Sequence, residues 1–458
     1  MFEKTTYIKR RNKLKEEVEE GILLFLGNEA SPINTPDNYY EFRQDSNFLY
    51  FWGLDEPGLN AVLDIDNDRE IIFGNDPGIE ETIWRGSQVT IEEKAADVGV
   101  METYPSDYLK KILNIDRKIH FLPPYRAEHK VKLKRILNKD LHEIGKNVSE
   151  SFIQAIIRQR EVKSDQEILQ IESAVDLAAE MHIAALGMVQ DGMYEDEACG
   201  AMEGIARSSG SRFAFQPIFS IESQILHNHY QGNQMRDGDL LINDSGVESD
   251  LHYASDITRT LPVGGEFTSR QKDIYQIVLQ ANKTAINASE KGVKYKDVHL
   301  KAARIIVDGL QSLGLMQGNA KEAVQEGAYA LFFPHGIGHM LGLDAHDMES
   351  LGEDRVGYDE NTQRSDQFGL SNLRLGKELQ PGFVVTVEPG IYFIPQLIDM
   401  WKEDNKFQDF INYQKVEEYK DFGGIRIEDD ILITNKEQRI LGAPIPKEIE
   451  EIKELWQE

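Results

Sequence analysis

Two aspartates interrupt apolar runs where a buried strand would ordinarily carry Leu or Val. Asp244 ends "LLIND" and Asp256 stands inside "YASDITRTLP". If the region Gly246 to Leu251 reverses the chain, the two side chains face each other on neighbouring strands, with Cβ atoms roughly 4.5–5.5 Å apart. Two ionised carboxylates that close, away from water, repel, so they share a proton or hold a cation. Taken alone, the pair has a plainer explanation: one member caps the turn and the other faces solvent. Three further stretches change the balance. "HGIGHMLGLDAHD" places His335, His339 and His346 close together. Its glycines Gly336, Gly338 and Gly342 argue against a regular helix, and so against the H-E-x-x-H zinc helix. "PGFVVTVEPGIYF" is an apolar strand that ends in Glu388 before Pro389 and Gly390 turn the chain. "FGGIRIEDDILIT" is a strand interrupted by Arg426, Glu428, Asp429 and Asp430. Strand alternation puts Arg426, Glu428 and Asp430 on one face.

Each fragment alone fits a satisfied core histidine, a strand-end carboxylate or an exposed acidic turn. Charge counting gives the set a joint meaning. Asp244, Asp256, Glu388 and Glu428 contribute −4 and a neutral imidazole adds nothing, while two divalent cations contribute +4. Carboxylate-rich ligation with one imidazole suits Mn²⁺, Fe²⁺ or Co²⁺ better than thiolate-loving ions. Two such ions roughly 3.5–4 Å apart hold a bridging water, lower its pKa and polarise a carbonyl, which is hydrolase chemistry.

The elements that must position these groups divide the chain in two. The first third reads as α/β: Gly21 to Asn28, Phe48 to Leu54, Ala61 to Asp66, Glu70 to Asn75 and Lys118 to Pro124 are short apolar runs between charged helical stretches such as "AEHKVKLKRILNKDLHEIG". From about residue 150 helical periodicity takes over. Ser164 and Glu167 form a capping box before a long apolar-periodic segment, and further helices are expected near Glu195 to Arg207, Ser269 to Lys291 and Lys296 to Leu313. The domains are therefore 1–160 and 161–458. Glu349 to Leu375 and Pro395 to Asp421 are polar and read as inserted surface segments.

Composition bounds the function. The 458-residue chain carries a formal charge of −29, which argues against nucleic acid or an anionic membrane as partner. No segment approaches about 18 consecutive apolar residues, and the charged start has no apolar leader. The single cysteine, Cys199, excludes an intramolecular disulfide and a cysteine-based metal cluster. A soluble cytoplasmic protein is the expectation.

The ordered set "INDSG", "YASDITRT", "HGIGHMLGLDAHD", "TVEPGIY" and "RIEDD" resembles the pita-bread metallopeptidases, aminopeptidase P above all. "YYEFRQDSNFLYFWGLDEPG" and "REVKSDQEI" are similar to that family's N-domain and domain-junction signatures. The resemblance implies an α/β N-terminal domain of the creatinase/prolidase type and an α+β pita-bread catalytic domain. It implies metal ligands at Asp244, Asp256, His339, Glu388 and Glu428, with Asp256 and Glu428 bridging two divalent ions, Mn²⁺ first among them. Glu388 would shuttle the proton, His346 and His229 would stabilise the oxyanion, and His335 and Arg426 would line the proline pocket. Trp84 in "IWRG" matches an N-domain aromatic that closes over the site. His227 and His252 match no family role and read as surface or packing residues. The Asp244 to Asp256 separation is one residue longer than the family's, and Pro395 to Asp421 is long for it. The implied activity is release of the first residue from peptides with proline second, by a homodimer or homotetramer. Prolidase, which cleaves only X-Pro dipeptides, would use the same ligands. A methionine aminopeptidase fits the long N-domain less well. A metal-free creatinase-type hydrolase or a pita-bread binding module would typically lack ligands that here are all present.

Overall fold

The computed structural model describes residues 1–114 and 116–457, and it separates into two units: Met1–Arg160 with Ser350–Gly352, and Glu161–Glu349 with Glu353–Glu458. In the first unit, the apolar runs Ile22–Leu26, Asn60–Asp64 and Arg69–Phe73 pair antiparallel, and Glu102–Tyr104 and Ile119–His120 add in parallel at the two edges. Alternate residues Ile22 and Leu24, Val62, and Ile71 and Phe73 form one buried face, which packs on Leu109, Leu113, Leu133 and Ile144 from the flanking helices. The charged stretch after Arg126 forms the helices Ala127–Leu137 and Leu141–Lys146.

One expected strand is a helix. Phe48 to Leu54 falls largely in the helix Ser46–Trp52, whose residues are all buried. An all-apolar run shows no period, so its ends decide its conformation. The Asp45 carboxylate accepts the Asn47 and Phe48 N–H groups at 3.0 Å each, and Gly53, at φ 65°, closes the last turn by donating to the Leu49 carbonyl at 2.9 Å.

In the second unit the capping box forms as read. The Ser164 N–H and hydroxyl donate to Glu167 Oε2 at 3.0 and 2.7 Å, starting the helix Asp165–Met188. The helices Glu195–Ser208, Ser269–Ala288 and Tyr295–Ser312 follow. Leu240–Ser245 runs antiparallel between Ile218–Ser220 and Ile257–Pro262. Asp429–Ile433 runs between Val384–Val387 and Gln438–Ile440, and Gly390–Tyr392 pairs with Gly424–Arg426. Single bridges, Thr258 to Glu428 and Met340 to Val385, link these pieces. The Ser269–Ala288 helix packs against the strands Val384–Val387, Gly390–Tyr392 and Gly424–Arg426.

The two polar stretches are more than surface cover. Leu351, Val356, Leu370, Leu373 and Leu375 are buried in the first, and Ile398 and Trp401 in the second, on a helix Pro395–Glu403. Sparse apolar anchors among many charges give a polar average, which hid them.

Candidate metal centre

The strand pair Leu240–Ser245 and Ile257–Pro262 sets the first two carboxylates. Its register places Asp244 opposite Thr258, with Asp256 one residue before the second strand begins. The two aspartates are therefore diagonal neighbours on one face and not directly opposed, a separation that side chains still span. Close approach of the two backbones requires glycine between them: a Cβ on Gly246 would lie 1.8 Å from the Ser255 carbonyl oxygen.

His339 is placed by a neighbouring strand. The segment Ile337 to Leu341 lies along Val384 to Glu388, with Thr386 N–H donating to the His339 carbonyl at 3.0 Å and Glu388 N–H to the Ile337 carbonyl at 2.8 Å. Gly338 lets the chains meet, since a Cβ there would sit 2.1 Å from the Thr386 carbonyl oxygen. One side chain then ties the bases of the two glutamates: Asn282, fully buried on the Ser269–Ala288 helix, donates to the carbonyls of Val387 at 3.1 Å and Ile427 at 3.3 Å. Alternation past Ile427 holds as expected. Glu428 and Asp430 turn toward Thr258 and Asp256, whose hydroxyl and N–H donate to them at 2.7 and 3.0 Å. Asp429 faces away, onto Arg259 at 2.8 Å and Lys447 at 2.6 Å.

The five expected ligands converge. Donor atoms of Asp244, Asp256 and Glu428 lie within 4.8 Å of one another, as do those of His339, Glu388 and Glu428, and those of Asp256, His339 and His346. Asp256, His339 and Glu428 each belong to two of these sets. His339 Nε2 is 3.5 Å from Asp256 Oδ2 and 3.8 Å from Glu388 Oε1. Its other ring nitrogen meets the Met340 carbonyl at 3.1 Å, leaving Nε2 turned to the carboxylates.

Electrostatics test whether the donor set fits cations. Burial and then the Asp244 charge push the Asp256 carboxyl up to about 8. Burial pushes Glu388 up to about 7, against the pull of His339 and Arg426. Glu428 lies well above the ordinary carboxylate range, by burial and then the charges of Asp256, Glu388 and Asp244. Without cations the cluster must hold protons. Hard divalent ions would replace those protons at the same oxygens, so the donors fit such ions.

Around the cluster lie groups with other roles. Arg426 is buried: Nη2 pairs with Asp244, Nη1 donates to the Tyr392 hydroxyl at 2.7 Å and Nε to Thr258 Oγ1 at 3.1 Å. These contacts fix the Arg426 guanidinium beside Asp244. His335 meets the Tyr392 hydroxyl at 3.0 Å, and its Nδ1 is 3.6 Å from Glu388. His346 stacks edge-on against His339 with ring centroids 4.2 Å apart and meets Glu349 at 3.4 Å.

The two histidines of "HNH" both lie outside the three donor sets. His229 is exposed and joins none of the three donor sets. His227 keeps a solvent-exposed edge, yet desolvation by the surrounding protein, and after it the Arg426 cation, lowers its pKa. Asp244, Arg374 and His346 are the other charges it feels. Between them, Asn228 turns inward and donates to Ser220 Oγ at 2.9 Å, a tertiary contact with no local signature. Trp84 belongs to the first unit, 85% exposed on the helix Ile79–Arg85, and the second unit builds the cluster without it. Tyr392, Thr258 and Asn282 also escaped the sequence. Strand alternation places Asp430 with Glu428.

Comparison with known proteins agrees with this geometry. The pattern of metallopeptidase family M24 matches residues 170–435, and that of the aminopeptidase P N-terminal domain matches residues 7–119. A probable Xaa-Pro aminopeptidase of Sordaria macrospora is 32% identical over 96% of this chain and 92% of its own. The Homo sapiens Xaa-Pro dipeptidase is 30% identical over 94% of this chain and 88% of its own. The solved structure of Pseudomonas aeruginosa aminopeptidase PepP superposes with a TM-score of 0.82 at 28% identity, covering 100% of this chain and 98% of that one. The α/β N-domain and the pita-bread catalytic domain are thus both present, as the residues implied.

Proposed function

We propose, from the premise that the chain belongs to metallopeptidase family M24, that it removes the N-terminal residue from peptides whose second residue is proline. The observation that carries this reading is the convergence of Asp244, Asp256, His339, Glu388 and Glu428 in one buried cluster. These five would hold two divalent ions, and Mn²⁺ is the ion proposed. When bound, such ions lower the pKa of water and polarise the scissile carbonyl.

The chain's own groups supply the rest. Glu388 takes a proton from the attacking water and returns it to the leaving nitrogen. His346 and His227 donate to the developing oxyanion. Arg426 and Thr258 hold Asp244 and Glu428 in place. An X-Pro bond has no N–H to offer an extended-strand site, so a shaped pocket must recognise the ring. His335 and Tyr392 are proposed to line it. Among the described residues no helix is long and apolar enough to cross a membrane.

The choice between aminopeptidase and dipeptidase turns on a cation free to pair with a dipeptide's carboxylate. Arg374, whose charge His227 feels, is a candidate. In this structure it pairs with Glu349 at 2.6 Å and Glu353 at 3.0 Å, two carboxylates that would repel a third. That favours the aminopeptidase. Release of Arg374 from those partners would favour the dipeptidase. Turnover of an X-Pro dipeptide and an X-Pro-Y tripeptide, with Mn²⁺ restored after chelation, tests the choice. The tripeptide is expected to be the better substrate, and hydrolysis of the dipeptide alone would overturn the reading.

A further inference from the structure

The first residue of the Glu195–Ser208 helix is a fully buried carboxylate that takes no part in the metal cluster. Among the described residues no cation reaches it, and backbone and amide donors hold its charge. Glu195 Oε1 accepts the Ile221 N–H at 2.7 Å, and Oε2 accepts the Asn233 N–H at 3.1 Å. The Asn233 side-chain amide reaches both oxygens, at 3.1 and 3.0 Å. The Glu195 and Asp196 N–H groups donate back to the carbonyls of Asn233 at 3.1 Å and Gln231 at 2.9 Å. One side chain thus closes both ends of the loop from Glu222 to Gly232. His227 sits in that loop. Inside it, Asn228 is tied to Ser220, and Ser223 Oγ accepts the Gly424 N–H at 2.8 Å. A Cβ on Gly424 would lie 2.5 Å from the Ser223 carbonyl oxygen, so the loop lies directly against the strand that carries Arg426.

Both oxygens of this buried side chain are satisfied by N–H donors from the two ends of one loop. Such an arrangement is more than a loop needs to stay attached, and it sits at the two points that fix the loop's exit and return. We propose that Glu195 is a positioning residue for the peptidase reaction, holding the loop that carries His227 against the strand Gly424–Arg426 by clamping both ends of that loop. The inference rests on the reading that His227 meets the substrate.

The test is a double-mutant cycle on kcat/KM for an X-Pro-Y peptide, using full-length Mn²⁺-loaded protein. Glu195→Gln keeps the shape but turns an amide onto N–H donors. It is expected to lower kcat/KM roughly 10- to 100-fold, the scale of a small misplacement of a catalytic group. In a His227→Ala background the same change is expected to cost no more than about twofold, because coupled residues are not additive. Asn233→Ala, which removes the side-chain contacts while leaving the carboxylate, is run through the same cycle and decides the matter if Glu195→Gln fails to fold. Bound metal is measured in each variant and is expected to match the parent. Equal falls in both backgrounds, or no fall in either, overturn the role of Glu195. Should His227→Ala alone leave turnover within about twofold of the parent, the reading of His227 fails and the positioning role with it, a result distinct from the first.

Discussion

Returning Mn²⁺ to chelated protein should expel protons, and the number follows from the cluster. Asp256 is raised to about 8 by burial and the Asp244 charge, Glu388 to about 7 by burial, and Glu428 further above its ordinary value. At about pH 6.5 Asp256 and Glu388 each carry much of a proton in the metal-free protein, and a carboxylate must lose its proton to coordinate. Each proton expelled makes loading more favourable by about 1.4 kcal/mol per unit of pH rise. Two or more give on the order of 3 kcal/mol per unit below pH ~7. The stability of the metal-free protein runs the other way. Its carboxyls have pKa values raised above those of the unfolded chain, so above pH ~4 the folded state binds more protons than the unfolded one. Metal-free stability therefore falls as pH rises toward about 8. Calorimetric titration at about pH 6.5 in two buffers of different ionisation enthalpy counts the protons. Thermal unfolding with and without Mn²⁺ should show a gap in Tm that widens between about pH 5 and 8. Release of less than one proton, or a gap that narrows with pH, would refute the reasoning.

Three substitutions probe other parts of the structure. Glu388→Ala should lower turnover at least ~10³-fold while circular dichroism stays unchanged, and near-normal activity would show that the cluster is not the reaction centre. Gly246→Ala puts a Cβ 1.8 Å from the Ser255 carbonyl oxygen and must push the Asp256 segment away. It should cost about 1–3 kcal/mol in chemical unfolding and weaken metal retention on dialysis, and an unchanged metal content would count against this account of the strand approach. Against the opposing effect of burial, Arg259 and Lys447 hold the Asp429 carboxyl well below the usual range. Asp429→Asn leaves those cations without their shared charge and should destabilise the second unit by about 3–5 kcal/mol, read from urea midpoints of the metal-loaded protein.

What the sequence revealed and concealed follows one physical division. Asp244, Asp256, Glu388 and Glu428 were legible because a charge inside an apolar strand needs a compensating partner, and that need is visible without coordinates. The capping box at Ser164 and Glu167 was legible because both partners lie within one helical turn. The helix at Ser46–Trp52 was misread because burial on every side erased its period, although Asp45 and Gly53 marked its ends. His227 and His229 stand two apart in a loop with no period, and the inward turn of Asn228 and the approach of Ser223 to Gly424 that shape this loop are tertiary contacts without a sequence signal. Arg426 was found but its contact with Asp244 was not, since the two lie 182 residues apart.

That separation has a consequence for the protein during its synthesis. Asp244 and Asp256 leave the ribosome long before Glu388 and Glu428, and no earlier segment supplies substitutes for the later pair. A nascent chain can fold its first unit and the Asp244 hairpin while remaining without hydrolytic power. If Glu388 and Glu428 hold the ions as proposed, the capacity to cut peptides would arise only when the last of these strands pairs with its distant partner, and prematurely ended copies would be inert toward neighbouring polypeptides.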